Sequence, residues 1–106
     1  MTVVHIKAGI CGFAMTISAE KTGDEGVRIA LQGGSPICPD VEKLVEDIAI
    51  LNVRDVFKNS PVENPVLRAA RRRIKHLSCI VPAAIFKAIE VELGLALKGT
   101  SSINFG

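Results

Sequence analysis

Aromatic side chains are scarce in this sequence, which has no tryptophan, no tyrosine and only four phenylalanines in 106 residues. Proteins that read single-stranded nucleic acid through its bases stack those bases on aromatic rings. Thirteen basic against eleven acidic residues leave a net charge of +2, which is too small to indicate a polyanionic partner. The composition therefore predicts that nucleic acid is not a partner.

Long hydrophobic runs are also missing. The longest segment without a charged side chain, residues 8–19, is too short to cross a bilayer. The first residues, Met1 to Lys7, lack the basic start and the long apolar stretch of a secretory signal peptide. We therefore expect a cytoplasmic protein without a membrane partner.

Cysteine occurs three times, at Cys11, Cys38 and Cys79. An odd number in a cytoplasmic chain argues against a disulfide framework and favours reduced thiols with a chemical or a packing role. Hydrophobic residues make up 48% of the chain, which is enough for a core, and the length suits one domain over residues 1–106.

In the first third of the chain, apolar residues recur at every second position, as is typical of β-strands. Large apolar residues alternate with polar ones in two segments, at Phe13, Met15 and Ile17, and at Val27, Ile29 and Leu31. Residues 2–8 alternate more weakly. Glycine-containing turns at residues 9–12 and 21–26 separate the three segments, so we expect an antiparallel sheet with one apolar face.

Three helices are predicted after the strands. They begin at Pro39, at Pro65 after the cap Asn64, and at Pro82, because proline suits the first helical turn. The apolar stripes on the three helices are Val41, Leu44, Val45, Ile48 and Leu51; Leu67, Ala70, Ile74 and Leu77; and Ile85, Ala88, Ile89 and Leu93. With a possible final strand over 101–105, the order βββααα predicts an α+β fold, in which three helices cover one face of a sheet of three to four antiparallel strands.

The predicted topology brings the three cysteines to one end of the domain. Cys11 follows the first strand, and Cys38 follows the third strand, which runs in the same direction. If the second helix is antiparallel to the first, it returns the chain to this end just before Cys79. Because Cys38 and Cys79 also precede predicted helices, we expect the helix ends to favour their thiolate forms.

Thiolates are the ligands of soft metals and iron–sulfur clusters. The leading hypothesis is therefore a site for zinc or an iron–sulfur cluster at Cys11, Cys38 and Cys79, with His76 as a fourth ligand. No CxxC spacing supports this hypothesis, and His76 is equally a cation that suits a helix end.

Two alternatives belong to other classes of protein. In the first, the cysteines are packing residues of a non-catalytic homodimeric interaction module. In the second, Cys38 or Cys79 is the nucleophile of a thiol redox protein. No pattern typical of a catalytic triad or of paired carboxylates indicates a reaction, so the sequence leaves open whether the protein is an enzyme.

Several segments together resemble a family of small three-cysteine proteins from anaerobic bacteria and archaea. These segments are Gly9-Ile-Cys-Gly-Phe13, Cys38-Pro39, His76-Leu-Ser-Cys-Ile-Val-Pro82 and Lys87-Ala-Ile-Glu-Val-Glu-Leu-Gly-Leu-Ala-Leu97. The resemblance covers nearly the whole chain. It implies no activity, only an oxygen-poor cytoplasm in which thiols and iron–sulfur centres persist.

Two surface features complete the sequence reading. The second helix carries Arg68, Arg71, Arg72 and Lys75 on one side, which we interpret as a solvated face rather than as a phosphate-binding one. Apolar residues crowd the end of the third helix, at Val91, Leu93, Leu95, Ala96 and Leu97. A homodimer contact there would bury them.

Overall fold

The computed structural model describes the backbone of residues 1–106 and every side chain except that of Ile10. One antiparallel sheet has the strand order β1-β2-β3-β4. The strands are β1 (Thr2–Lys7), β2 (Ala14–Thr22), β3 (Gly26–Gly34) and β4 (Ile50–Asn52). The helices are α1 (Pro39–Asp47), α2 (Val53–Val56), α3 (Pro65–Arg73) and α4 (Val81–Glu92). The α+β class and the antiparallel sheet are confirmed.

The sheet has one face in the core and one face open to solvent, as the period-two pattern predicts. Ile6, Ile17 and Ile29, on three neighbouring strands, are buried beneath the helices. On the opposite face His5 and Arg28 are exposed. The alternation in the sequence therefore identifies the covered face of the first three strands, although Ser18, on the other face of β2, is also buried.

The connection after the first helix differs from the prediction. It holds the fourth strand, β4, and the short helix α2, so the chain has four helices rather than three. Helix α1 ends at Asp47, and Leu51, predicted on its stripe, is instead buried as the central residue of β4. A single apolar residue fits either a helix or a strand, and pairing with β3 decides between them.

The predicted final strand over 101–105 is wrong. Residues 95–106 contain no helix or strand in the described backbone, and Ile103 and Phe105 are exposed. Alternation of two apolar residues is too weak a signal when no neighbouring strand supplies hydrogen bonds.

Helix α3 begins where the sequence predicts. The Asn64 side chain caps it, with Oδ1 accepting hydrogen bonds from the backbone N–H of Val66 and Leu67. Its most buried residues, however, are Val66 and Ala69, and Leu77 is fully exposed. Because the helix already ends at Arg73, the helical spacing no longer places Leu77 on the buried side.

Helix α4 packs along β1 and β2, and its last residue fixes its direction. The Glu92 carboxylate accepts a hydrogen bond from the Thr2 hydroxyl at 2.8 Å and one from the Lys21 backbone N–H at 2.9 Å. These residues are at the start of β1 and near the end of β2. Helix α4 therefore ends where β1 begins.

Among the helices of the described chain, none combines the length and the apolar composition that a membrane-crossing helix requires.

Candidate functional site

Cys11 and Cys38 lie at the same end of the sheet. Cys11 closes a 3₁₀ turn between β1 and β2, and Gly12 ends this turn with a φ of +75° that favours glycine. The chain leaving β3 is bonded next to this turn, since the Ser35 N–H donates to the Ala14 carbonyl at 3.0 Å. Cys38 follows three residues later as the N-cap of α1.

Helix α4 brings Cys79 to that end. Because its last residue contacts the start of β1, its first residue, Val81, lies towards the end of β1 from which the Cys11 turn leaves. Twelve helical residues span about 18 Å, comparable to the length of a six-residue strand. Cys79 precedes Val81 by two residues. The convergence that the sequence predicts is therefore supported by the course of the backbone.

The route to Cys79 is different from the predicted one. Arg73, at the end of α3, donates from Nε to the carboxylate of Asp47, the last residue of α1, at 2.7 Å. Since these two helices end close together, α3 does not return the chain towards Cys38 as an antiparallel helix would. The segment 74–80, which is not helical, covers the remaining distance.

The three thiols differ in exposure, and none forms a disulfide. Cys11 is exposed and its Sγ donates a weak hydrogen bond to the Ala8 carbonyl at 3.6 Å. Cys38 and Cys79 are half-buried and pack against the hydrophobic core. One thiol is thus open to solvent beside two that are partly shielded from it.

The expectation of a stabilised thiolate is wrong for Cys79. Burial raises the pKa of its thiol, and this effect exceeds the opposing effect of the Val81 backbone N–H. The charges of Cys38, Cys11 and Asp40 raise the pKa further. The sequence shows that a helix begins after Cys79, which favours the thiolate. It does not show how far the thiol is buried, and burial is the larger effect on its pKa.

The residues whose charges change the pKa of Cys79 lie within the range of an electrostatic interaction with it. The charges of Cys38 and Cys11 act on the Cys79 pKa, so both thiols are near enough to interact with it. Asp40, in the first turn of α1, acts in the same way. Asp40 is not among the site residues that the sequence predicts.

His76, the predicted fourth ligand, lies in the turn before Cys79. It is exposed, and its backbone carbonyl accepts a hydrogen bond from the Cys79 N–H at 3.4 Å. The structure thus places the exposed His76 close to Cys79 in the chain, and its role as a ligand stays a prediction.

Metal-ligating geometry is not formed in this conformation. Within the described part of the chain, no three His, Cys, Asp or Glu side chains are arranged to hold a metal ion. We define the thiol site as Cys11, Cys38, Cys79 and Asp40: four acidic groups gathered from three separate segments.

The basic side of α3 is exposed, as expected of a solvated face. Arg68, Arg71 and Lys75 are exposed, and Arg72 lies 3.8 Å from the Asp47 carboxylate. Hydrogen bonding from Arg73 lowers the pKa of Asp47. Part of the positive charge near the end of α3 is therefore compensated by Asp47.

Fold and site together define a small α+β protein with a four-stranded antiparallel sheet and three free cysteines. The chain belongs to a family of unknown function (DUF6951), whose profile matches residues 2–105. Membership of a family without an assigned activity over nearly the whole chain is thereby confirmed, whereas the three-cysteine pattern of that family and its occurrence in anaerobes stay predictions. None of the curated proteins matches the chain. No solved structure matches it either.

Proposed function

We propose that this protein binds a soft metal ion, such as zinc, or an iron–sulfur cluster through Cys11, Cys38 and Cys79. The observation that supports the proposal is that Cys79 is a free thiol whose pKa is affected by the charges of two other free thiols, Cys38 and Cys11, which are far from it in sequence. Thiolate sulfur is the preferred ligand for these metals. A cytoplasmic location, where thiols stay reduced, is part of the same proposal.

The electrostatics of the thiol site favour a cation over a reactive thiol. Cys38, Cys11 and Asp40 all make it harder for Cys79 to lose its proton. A redox nucleophile needs the opposite bias, because only the thiolate attacks. A bound metal ion would reverse the balance, since it deprotonates coordinating thiols and compensates their mutual repulsion.

The fourth ligand is a choice between Asp40 and His76. Asp40 already acts electrostatically on Cys79, and a carboxylate oxygen is an accepted zinc ligand. His76 precedes Cys79 by three residues but is exposed. We therefore propose Asp40 as the fourth ligand and His76 as a residue outside the site. The side chains must rotate towards one another on binding, because the required geometry is not formed in this conformation.

Anaerobic purification followed by metal and sulfide analysis tests this proposal. We expect one zinc ion or one cluster per chain, a visible spectrum if iron is bound, and loss of the metal in Cys11→Ser, Cys38→Ser and Cys79→Ser. Ser78→Ala is the matched control, because Ser78 is exposed beside Cys79. A wild-type protein that stays metal-free after reconstitution with zinc and with iron and sulfide would contradict the proposal.

A homodimeric module is the second candidate, and the exposed apolar residues after α4 favour it. Leu95 and Leu97 are 63% and 94% exposed, which is unusual for large aliphatic side chains. Contact between two copies would cover them. Light scattering on the wild type and on Leu95→Ser/Leu97→Ser tests this candidate, which requires a dimer that the double substitution dissociates. A wild-type monomer at all concentrations would contradict it.

A further inference from the structure

An open pocket lies on the solvent-facing side of the sheet, at the end from which the Cys11 turn leaves. Its volume is about 450 Å³, and its polar lining comes from His5 and Lys7 of β1, Thr16 of β2, and Ser35 after β3. This volume lies within the range of small-molecule sites. The thiol site does not include these residues, so the pocket is a separate feature.

The His5 ring in this pocket is oriented by a hydrogen bond. Its Nδ1 lies 2.9 Å from the Thr16 hydroxyl oxygen on the neighbouring strand. When the hydroxyl donates to Nδ1, the ring carries its proton on Nε2 and offers that N–H to a ligand. In this tautomer Thr16 orients the ring and Nε2 is the donor, whereas in the other tautomer Nδ1–H donates to the Thr16 hydroxyl and Nε2 is an acceptor.

Lys7 provides a second donor at a suitable spacing. His5 and Lys7 are both exposed and occupy alternate positions of β1, so they share the open face with Cα atoms about 7 Å apart. An oxyanion held between an imidazole and an ammonium group, each about 2.8 Å from an oxygen, fits this separation. Ser35 also lines the pocket, and its hydroxyl would be a further donor.

The charge around the pocket is of one sign. The described strand residues of this half of the open face include no acid: they are Val3, His5, Lys7, Ala14, Thr16, Ser18, Ala30, Gln32 and Gly33. The next acid on that face, Glu20, lies four residues beyond Thr16 and is paired in the register with Arg28. An anion would therefore meet donors and positive charge without a competing carboxylate from these strands.

We propose that this pocket binds the phosphate or carboxylate group of a small anionic ligand through His5, Lys7 and Ser35. This proposal is independent of metal binding, because none of these side chains belongs to the thiol site. It also gives His5 and Lys7 a role beyond that of solvated strand residues.

Gly34 lines the pocket, and its neighbour Gly33 provides a way to block it. A Cβ at Gly34 would lie 2.6 Å from the Ala14 carbonyl oxygen, so this position does not accept a side chain. Gly33 is opposite Thr16 in the register, and a Cβ there meets nothing within 4 Å. Gly33→Leu is therefore expected to fold and to cover the pocket beside Thr16.

Amide chemical-shift titration of the ¹⁵N-labelled protein with inorganic phosphate, and separately with acetate, tests the proposal. We expect saturable shifts confined to residues 5–7, 14–16 and 33–35. Lys7→Gln should weaken binding about fivefold, the scale of one exposed ion pair. Lys21→Gln, an exposed lysine near the far end of β2, is the matched control and should bind as the wild type does.

The titration distinguishes specific binding in the pocket from non-specific binding to the protein surface. Saturation with phosphate alone, or with acetate alone, supports the pocket and identifies the ligand group. Gly33→Leu should abolish these shifts while its melting temperature stays near that of the wild type. Shifts that spread evenly over all lysines, or that persist in both Lys7→Gln and Gly33→Leu, would overturn the proposal whatever the metal content.

Discussion

The two ends of helix α4 present opposite electrostatic situations. At its last residue, the Glu92 carboxylate accepts hydrogen bonds from Thr2 and Lys21, and these bonds lower its pKa. Before its first residue, Cys79 is half-buried near two other thiols and Asp40, and its pKa is raised. The neighbours of Glu92 stabilise its charged carboxylate, whereas the surroundings of Cys79 disfavour its charged thiolate.

This difference separates a structural role from a functional one. Glu92 is 13% exposed and fastens α4 to β1 and β2, so its bonds are part of what holds the fold together. The thiol site gathers acidic groups that do not stabilise one another's charged forms. Such an arrangement contributes little to stability unless a ligand compensates it, which is why we propose binding at that end.

The largest expected change in stability comes from removing the Glu92 carboxylate. Glu92→Ala loses both hydrogen bonds to a charged acceptor, and we expect it to lower the free energy of unfolding by about 2–3 kcal/mol. Urea unfolding measures this change. Glu90→Ala on the same helix should cost much less. Equal losses in the two variants would mean that α4 is held by packing alone.

The pH dependence of stability provides a second test of the Glu92 carboxylate at the last residue of α4. Because the folded-state pKa of Glu92 is lowered, its contribution is complete above the ordinary pKa of 4.5 and is lost as pH falls through the lowered value. The stability difference between the wild type and Glu92→Gln should therefore shrink on acidification. Thermal melts from neutral pH down to about pH 3 measure it. A difference that stays constant would contradict the lowered pKa.

A smaller effect is expected before the first residue of α4, on the reactivity of the Cys79 thiol. Asp40→Asn removes one of the charges that raise the pKa of Cys79, so more thiolate forms at neutral pH. Alkylation of Cys79 in the metal-free protein, followed by peptide mass spectrometry, should become about twofold faster. Asp24→Asn in the β2–β3 turn is the control. If both variants react at the wild-type rate, Asp40 does not belong to the thiol site.

The sequence predicts those parts of the molecule that local patterns determine. Alternation identifies the buried faces of β2 and β3, and Asn64-Pro65 identifies the start of α3. Strand directions place Cys11 and Cys38 at the same end of the sheet, whereas the predicted antiparallel course of α3 towards Cys79 is wrong. By contrast, the strand at Leu51 depends on pairing with β3, and the pKa of Cys79 depends on burial that tertiary packing decides. The contribution of Asp40 to the thiol site likewise depends on how α1 meets the segment before α4.

The central claim is that Cys11, Cys38 and Cys79 bind one metal ion together, and X-ray absorption at the zinc edge tests it most directly. The measurement uses the full chain loaded with one equivalent of zinc under anaerobic conditions. The account predicts three sulfur neighbours at about 2.3 Å and one oxygen neighbour at about 2.0–2.2 Å, the latter from Asp40. A first shell of nitrogen and oxygen alone, or one with a single sulfur, would contradict it.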